Sequence, residues 1–297
     1  MTTRTAALAD RTVFRIGYGA LQLERLRDRR EEAVALLRRA VELGVDHVDT
    51  ADFYGFGFAN DVIREALRPE DGVIVVTKVG AVPDPGGPFP LRIAQRPEEL
   101  RAAVEDNLRG LGTDRLAVVN LRRLDTGPGL RAEGDQIVGL DDQLAVLTAL
   151  RDEGKIGAIG LSSVTLDGLR RALPAGIVCV QNAYSLVSRD DEDTLRLCAA
   201  EGIAWVPFFP LGGAMPGLPK VTGEPAVRTV AASLGVTPAQ VGLAWLLHHA
   251  PNVLLIPGTA DPAHLEANVA AGDIAFDAAA RAALDAVRSR SSQVPLG

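Results

Sequence analysis

The stretches HVDTADFYG at residues 47–55 and VIVVTKVG at residues 73–80 decide the fold that we predict for this chain. The first begins as a short strand with alternating apolar residues and ends in an acid and a tyrosine. The second is a β-branched strand with a lysine near its carboxyl end. In an α/β barrel, catalytic side chains lie at the carboxyl ends of the strands. Asp49, Tyr54 and Lys78 are therefore expected to meet at one end of such a barrel.

Strands and helices alternate outward from these two stretches. Short β-branched runs are followed by stretches rich in Ala, Leu, Arg and Glu almost to the end of the chain, which is typical of βαβ units and a parallel sheet. Eight strands are predicted, over residues 15–19, 45–49, 73–78, 116–121, 156–161, 177–181, 204–208 and 253–257. Helices are predicted over residues 30–43, 60–68, 97–110, 141–153, 165–173, 192–200, 225–234, 238–249 and 261–271. This pattern, with no break in composition, predicts an α/β fold, a (β/α)8 TIM barrel that forms a single domain over residues 1–297.

The bulk composition sets limits on partners and location. With 297 residues, 47% of them hydrophobic, the chain can bury a large core, and its two cysteines cannot build a disulfide framework. The net charge of −7 is spread evenly, so neither nucleic acid nor a membrane is an expected partner. Because the sequence shows no apolar leader and no run of about 18 apolar residues, a cytoplasmic protein is expected. The four histidines lack metal-ligand spacing, so no metal site is expected.

A carboxylate, an ammonium and a phenol brought together make a proton donor. The ammonium favours the ionised form of the phenol, and the carboxylate fixes the ammonium. A phenol held in this way is suited to protonating an alkoxide as hydride arrives at a carbonyl carbon, so the arrangement predicts carbonyl reduction. Taken singly, Asp49 reads equally well as a turn residue, Tyr54 as a loop aromatic and Lys78 as a surface charge. Their joint position at two strand ends favours the catalytic interpretation.

Three long loops follow predicted strands, at residues 81–96, 122–139 and 211–224. Loops of this length in a compact domain are usually functional, and these three are expected to rim the active-site mouth. The glycine fingerprint that joins a strand to a helix in Rossmann folds is missing, since Gly17 and Gly19 have no third glycine at the required spacing. A nicotinamide cofactor would therefore have to be held by other means.

Several motifs, in this order, resemble the aldo-keto reductase superfamily along nearly the whole chain. They are RIGYGA (15–20), VDTADFYG (48–55), LGTD (111–114), IGLS (159–162), QNAYS (181–185), PLG (210–212) and IPGT (256–259). Within the superfamily, VVNLR (118–122), VPFFPLGG (206–213) and AWLL (244–247) are most similar to bacterial pyridoxal reductase-like members. The resemblance implies a barrel enzyme in which Tyr54 is the general acid, with Lys78 and Asp49 tuning it.

Arg122 is the main departure from the family pattern. The family's catalytic tetrad normally has a histidine on the fourth strand, and alignment from residues 111–114 places Arg122 there. A guanidinium is always charged and donates several hydrogen bonds, so Arg122 is expected to stabilise a developing oxyanion or a phenolate on the substrate. The alternative left open is that Arg122 only forms a salt bridge with Asp125 or Asp114.

The resemblance also implies a nicotinamide cofactor, NADP(H), with NAD(H) as the alternative. The family's cofactor positions are occupied by Ser162, Ser163 and Gln181 beside the carboxamide, Phe209 under the nicotinamide ring, Leu211, Gly212 and Gly213 at the pyrophosphate, and Gly258, Thr259, His264 and Asn268 at the adenosine. The lysine and arginine that usually grip the 2′-phosphate are absent, but amides at the start of the helix at 261–271 are expected to bind a phosphate.

The resemblance therefore implies NADPH-dependent reduction of an aldehyde or ketone to an alcohol, with pyridoxal, reduced to pyridoxine, as the substrate that the subgroup suggests. Two alternatives remain. One is a reductase of a secondary-metabolite carbonyl, and the other is a nicotinamide-binding regulatory subunit without turnover. The intact set of Asp49, Tyr54 and Lys78 argues against lost catalysis. Oligomeric state is not predicted.

Overall fold

The structure is a computed structural model that describes residues 4–87, 89–213 and 218–291. The described strands are β1 (Thr5–Leu8), β2 (Arg11–Phe14), β3 (Tyr18–Gly19), β4 (His47–Asp49), β5 (Ile74–Val79), β6 (Ala81–Pro83), β7 (Leu91–Ile93), β8 (Leu116–Arg122), β9 (Ile156–Ser162), β10 (Ile177–Gln181) and β11 (Ala204–Trp205). The α-helices are α1 (Arg30–Glu42), α2 (Phe58–Ala66), α3 (Pro97–Leu111), α4 (Leu140–Asp152), α5 (Leu166–Ala172), α6 (Glu192–Ala200), α7 (Pro225–Leu234), α8 (Pro238–His249), α9 (Pro262–Ala270) and α10 (Ala278–Asp285).

A seven-stranded parallel sheet organises the fold. Its strand order is β11-β10-β9-β8-β5-β4-β3, so each strand pairs with the next one along the chain once the hairpin β6–β7 is set aside. Helices connect the strands and bring all their carboxyl ends to one edge. The α/β class is confirmed, and five of the predicted strands, 45–49 to 177–181, appear with nearly the predicted limits.

The predicted strand at 253–257 is not a strand in the described chain. This segment makes only isolated parallel bridges, Leu255 to Ile16 and Val253 to Trp205. Strand β11 is short because Pro207 follows it and has no N–H to donate to a ladder. The first and seventh predicted strands have only two residues each in the structure, and an eight-stranded ladder is not observed in the part of the chain that the structure describes.

Two hairpins were not predicted. Strands β1 and β2 pair antiparallel, and β6 and β7 form a second hairpin inside the loop at 81–96. Leu8 and Val13 of the first hairpin pack with Val118 and Leu254 in the interior cluster of the sheet. The turn between β1 and β2 contains Ala9 in the left-handed region, with φ of 55°, a position that gives no glycine signal in the sequence.

The core has an outer layer between the sheet and the helices. Leu37, Leu100 and Leu147 on α1, α3 and α4 are fully buried against strand residues such as Val119 and Leu161. Helix α3 shows why the boundaries are where they are: Pro97 occupies its first turn, and Gly112 ends it with φ of 65°. These limits place the strand that follows, β8, so that its carboxyl end reaches the same edge as β5.

Helices α7 and α8 are rich in apolar residues. No single helix in the described ranges has the length and hydropathy to cross a membrane. The two helices meet such a criterion only when taken together, and they are bent by 98° at the break between them.

Candidate active site

A buried ion pair joins the carboxyl ends of β4 and β5. The Nζ atom of Lys78 donates a hydrogen bond to Oδ1 of Asp49, and a second one of 3.0 Å to the carbonyl of Thr50. Only 7% of the Lys78 side chain and 4% of the Asp49 side chain are exposed. The two strands are neighbours in the sheet, with Asp49 paired to Val76. The pairing predicted from the strand ends is therefore present.

Tyr54 lies against this pair. The Nζ atom of Lys78 is 4.9 Å from the centroid of the Tyr54 ring. Burial has the largest effect on the pKa of Lys78 and would lower it, but the carboxylate of Asp49 and the phenol of Tyr54 together raise the pKa above its ordinary value. Lys78 is therefore a cation at neutral pH despite its burial. The structure brings together all three residues of the predicted proton donor.

The loop that carries Tyr54 turns sharply after it. Gly55, Phe56 and Gly57 have φ of 59°, 54° and 85°, so three successive residues are in the left-handed region. Glycine adopts this conformation freely, whereas a bulky residue such as Phe56 is strained in it. Arg27 holds the turn from outside, since its guanidinium donates to the carbonyl of Gly55 and lies 5.8 Å from the ring centroid of Phe56.

Arg122 ends β8, beside this loop. Its guanidinium carbon lies 5.5 Å from the centroid of the Phe53 ring, and among the described residues it has no hydrogen-bonded or ion-paired partner. Asp125 is paired instead with Arg123, at 3.0 Å, and Asp114 precedes β8 at its other end. The salt-bridge alternative is therefore not what the structure shows. Burial lowers the pKa of Arg122, and the nearby Tyr54 phenol partly offsets the effect.

The two cysteines lie in the interior of the protein. Cys179 and Cys198 are free and buried. Burial raises the pKa of both thiols, and Asp49 adds to the effect at Cys179. Cys179 donates to Oδ1 of Asn120 at 3.2 Å. Protonated thiols in such surroundings are packing groups rather than nucleophiles.

Gln181 connects the predicted cofactor site to the catalytic pair. Its Nε2 donates a 2.6 Å hydrogen bond to Oδ2 of Asp49, while its Oε1 is buried without a hydrogen-bond partner in the described chain. Asp49 thus accepts from Lys78 on one oxygen and from Gln181 on the other. This contact was not predicted, because the two residues are 132 positions apart in the chain.

Ser162 and Ser163 lie beside Gln181 at the carboxyl end of β9. Ser162 pairs in register with Gln181 on β10 and with Arg122 on β8. Both serines are buried, and Ser163 has φ of 53°. The turn that follows is held by Asn182, which accepts from the amide of Val164 at 3.1 Å and donates to its carbonyl at 2.8 Å. Asn182 was not among the predicted residues.

Phe209, Gly212 and Gly213 form a compact turn after β11. A Cβ atom on Gly213 would come within 2.7 Å of the Phe209 ring, and one on Gly212 within 1.9 Å of the Pro219 carbonyl oxygen, so only glycine fits at either position. Lys220, which the sequence analysis missed, donates to the carbonyls of both glycines. Leu211 lies within this turn and is partly buried against the core. Residues 214–217 of the predicted 211–224 loop lie outside the described residues.

The last group of predicted cofactor residues is at the start of α9. A Cβ atom on Gly258 would lie 2.6 Å from the carbonyl oxygen of Gly19, so the two backbones are in close contact. Thr259 accepts at Oγ1 from the amide of Asp261, at 3.0 Å. His264 is exposed and Asn268 partly buried.

Asp261 already caps α9. Its Oδ1 accepts from the amides of Ala263 and His264 at 2.8 and 3.1 Å. These two backbone hydrogen bonds lower the pKa of Asp261, and the one from His264 has the larger effect. The carboxylate is therefore ionised. The helix N-terminus expected to bind a phosphate therefore already carries a negative charge.

Comparison with known proteins agrees with this geometry. A sequence model of the Aldo/keto reductase family matches residues 15–289. Pyridoxine 4-dehydrogenase of Escherichia coli is 44% identical over 296 residues, covering 97% of this chain and 99% of that protein. A crystal structure of an aldo-keto reductase from Klebsiella pneumoniae in complex with NADPH is 28% identical, covers 100% of both chains and has a TM-score of 0.80. The prediction of an NAD(P)H-dependent oxidoreductase is confirmed: the chain belongs to the aldo/keto reductase family.

Proposed function

We propose that this protein reduces an aldehyde or ketone to an alcohol with NADPH. The observation that carries the proposal is the buried Lys78–Asp49 pair with Tyr54 against it, at the end of the sheet where barrel enzymes place their chemistry. The same pair argues against a regulatory subunit without turnover, because burying two charges is costly unless a function retains them. We also infer that the isolated bridges of residues 253 and 255 close the sheet into an eight-stranded barrel.

The residues of this chain supply the proton and stabilise the group that donates it. NADPH, when bound, supplies the hydride that adds to the carbonyl carbon. The Tyr54 hydroxyl holds a proton and transfers it to the carbonyl oxygen, which leaves a phenolate on Tyr54 and an alcohol on the product. Lys78 stabilises this phenolate, and Asp49 keeps Lys78 charged and in place. Because these groups are fixed before substrate arrives, little reorganisation is needed during the reaction.

One buried polar atom without a hydrogen-bond partner among the described residues, Oε1 of Gln181, supports the proposed cofactor site. Buried acceptors are nearly always paired, and the free Oε1 of Gln181 is suited to accept from the carboxamide N–H₂ of a nicotinamide. Ser162 and Ser163 flank it, and the Phe209 ring offers a stacking face. The Klebsiella structures with NADP and with NADPH support NADP(H) as the cofactor. NAD(H) is the alternative, because the adenosine end carries the Asp261 charge.

The substrate proposed is a carbonyl compound with an ionised oxygen nearby, of which pyridoxal is one. The Arg122 guanidinium lies beside Tyr54 without an acidic partner among the described residues, so an anionic substrate group would supply the missing charge. The relative from Escherichia coli, a pyridoxine 4-dehydrogenase, supports the same choice.

Loss of NADPH absorbance with pyridoxal and with a phenol-free aldehyde tests the proposal. Turnover of both by the wild type, with pyridoxal preferred, and loss of turnover in Tyr54→Phe are the expected results. NADPH binding without oxidation by any aldehyde or ketone would favour the regulatory alternative.

A further inference from the structure

A buried glutamine ties the two strands that carry Lys78 and Arg122. The Nε2 atom of Gln95 donates to the carbonyl of Gly80 at 2.9 Å and to the carbonyl of Arg122 at 2.6 Å. Gly80 follows β5 two residues after Lys78, and Arg122 is the last residue of β8. Gln95 itself is 1% exposed and lies at the end of the loop at 81–96. One amide group thus joins the two strand ends.

The backbone ladder cannot do this by itself. Strands β5 and β8 pair in register as far as Val79 and Leu121, and Gly80 then leaves the strand with φ of 103°. A Cβ atom on Gly80 would lie 2.6 Å from the Arg122 carbonyl oxygen, so the two backbones are in contact here without a direct hydrogen bond between them. The Gln95 amide donates to both carbonyls at the point where the ladder ends, and the Gly80 carbonyl also accepts from the backbone amide of Ala94 at 3.1 Å.

A second glutamine fixes the orientation of the first. The Nε2 atom of Gln143, on α4, donates at 2.7 Å to Oε1 of Gln95 and at 2.7 Å to its backbone carbonyl. Arg123 in turn donates to Oε1 of Gln143. Because each polar atom of the Gln95 side chain has a partner, its amide has one orientation and cannot rotate without losing several buried hydrogen bonds.

The position of the Arg122 guanidinium depends on the backbone hydrogen bonds from Gln95, because the guanidinium has few contacts of its own. Its guanidinium has the Phe53 ring as a neighbour, but no hydrogen-bond acceptor among the described residues. Its direction therefore follows from where the backbone at the end of β8 is held, by Gln95 on one side and by pairing with Ser162 of β9 on the other. Lys78, by contrast, has Asp49 and the Thr50 carbonyl as its own anchors.

We infer that Gln95 is a positioning residue that sets the Arg122 guanidinium at the substrate, acting through the Arg122 carbonyl, and so determines specificity for substrates with an anionic oxygen. The inference rests on the proposed function, because it assumes that Arg122 binds that oxygen. It predicts an effect on substrate ranking and on KM, with little effect on proton transfer from Tyr54.

The test compares Gln95→Met and Gln95→Glu with the wild type, using NADPH with pyridoxal and with a phenol-free aromatic aldehyde. Each variant loses both amide donors. The Arg122 guanidinium is then expected to lose its hydrogen bond to the anionic substrate oxygen, which raises KM for pyridoxal about tenfold. We expect kcat for the phenol-free aldehyde to change by less than about twofold, since Lys78 keeps its own anchors. The matched control is Asn252→Asp, which removes an amide donor to a backbone carbonyl, that of Ile203 at 2.9 Å, away from the site.

Parallel measurements on Arg122→Leu distinguish the positioning role of Gln95 from the substrate-binding role of Arg122. If Arg122→Leu changes the ranking and both Gln95 variants do not, this inference is overturned while the proposed function stands. Equal losses on both aldehydes, in step with a lowered Tm, would show that Gln95 is only structural. If neither Arg122→Leu nor the Gln95 variants change the ranking, the substrate role of Arg122 fails and this inference fails with it.

Discussion

Replacement of Asp49 by asparagine should destabilise the protein far more than loss of an ordinary ion pair. Asp49 uses both oxygens as acceptors, one for Lys78 and one for Gln181. Asparagine has a single acceptor oxygen, so one buried donor loses its partner. Removing one member of a buried pair costs about 3–5 kcal/mol of the free energy of unfolding, because the other charge stays buried. A surface pair is worth about 0–1 kcal/mol.

The same variant should lose activity at a lower pH than the wild type. In the folded wild type, the pKa of Lys78 is raised, so the stabilising charge is fully present below the ordinary lysine value of about 10.4 and is lost as the pH rises through the raised value. Without the Asp49 carboxylate, burial lowers the pKa of Lys78 with only Tyr54 opposing it. The alkaline limb of the pH–rate profile for carbonyl reduction should therefore shift to lower pH.

Urea unfolding and a pH series of kcat/KM measure both effects. Glu153→Gln is the matched control, because it breaks a pair with Arg101 in which the side chains are 41% and 40% exposed. The double variant Asp49→Asn, Lys78→Met should recover part of the lost stability, since no unpaired charge remains. If Asp49→Asn were as stable as Glu153→Gln, with its alkaline limb unmoved, the buried pair would not have the role given to it here.

Three further predictions concern the other parts of the site. Tyr54→Phe should lower kcat by about 10²–10⁴-fold while NADPH binding is unchanged, since it removes the proton donor and little volume; near wild-type turnover would contradict this role. Arg122→His should cost pyridoxal about 1.5–3 kcal/mol in kcat/KM beyond any loss for a phenol-free aldehyde, because the charge-assisted bond is lost; equal losses would assign Arg122 to the carbonyl alone. The preference for NADPH over NADH should be modest and should fall as salt is added. Asp261→Asn should keep the helix cap and should tighten NADPH binding about 2- to 5-fold relative to NADH, because a negative charge is removed from the helix N-terminus. Calorimetry that shows much tighter, salt-insensitive binding of NADH would reverse the choice of NADPH as the cofactor.

The strand ends were predictable because a parallel sheet has a simple sequence signature. Strand β5 is rich in β-branched residues and has Lys78 as its last residue but one, and β4 ends at Asp49. Parallel neighbours align their carboxyl ends, so the two residues had to be close once the strands were identified. No detailed side-chain geometry was needed for that step.

The contacts across the sheet were not predictable in this way. The bond from Gln181 to Asp49 depends on the curvature of the sheet and on one side-chain rotamer, which no local pattern records. Gln95 ends a loop whose hairpin, β6–β7, was also missed because its strands have three residues each. Short pairings and long-range polar contacts are fixed by the tertiary structure, so periodicity is a weak guide to both.

Strand geometry and one tertiary contact together decide whether Arg122 forms a salt bridge with Asp125, which the sequence left open. Successive residues of a strand point to opposite faces, so Arg122 and Arg123 could not both reach Asp125, and the structure gives that carboxylate to Arg123. Arg122 is left on the interior face beside Tyr54, as a cation with no acid of its own among the described residues. Unlike a histidine, a guanidinium does not titrate near neutral pH. Binding of an anionic substrate oxygen here should therefore depend on ionisation of the substrate and not on ionisation of Arg122.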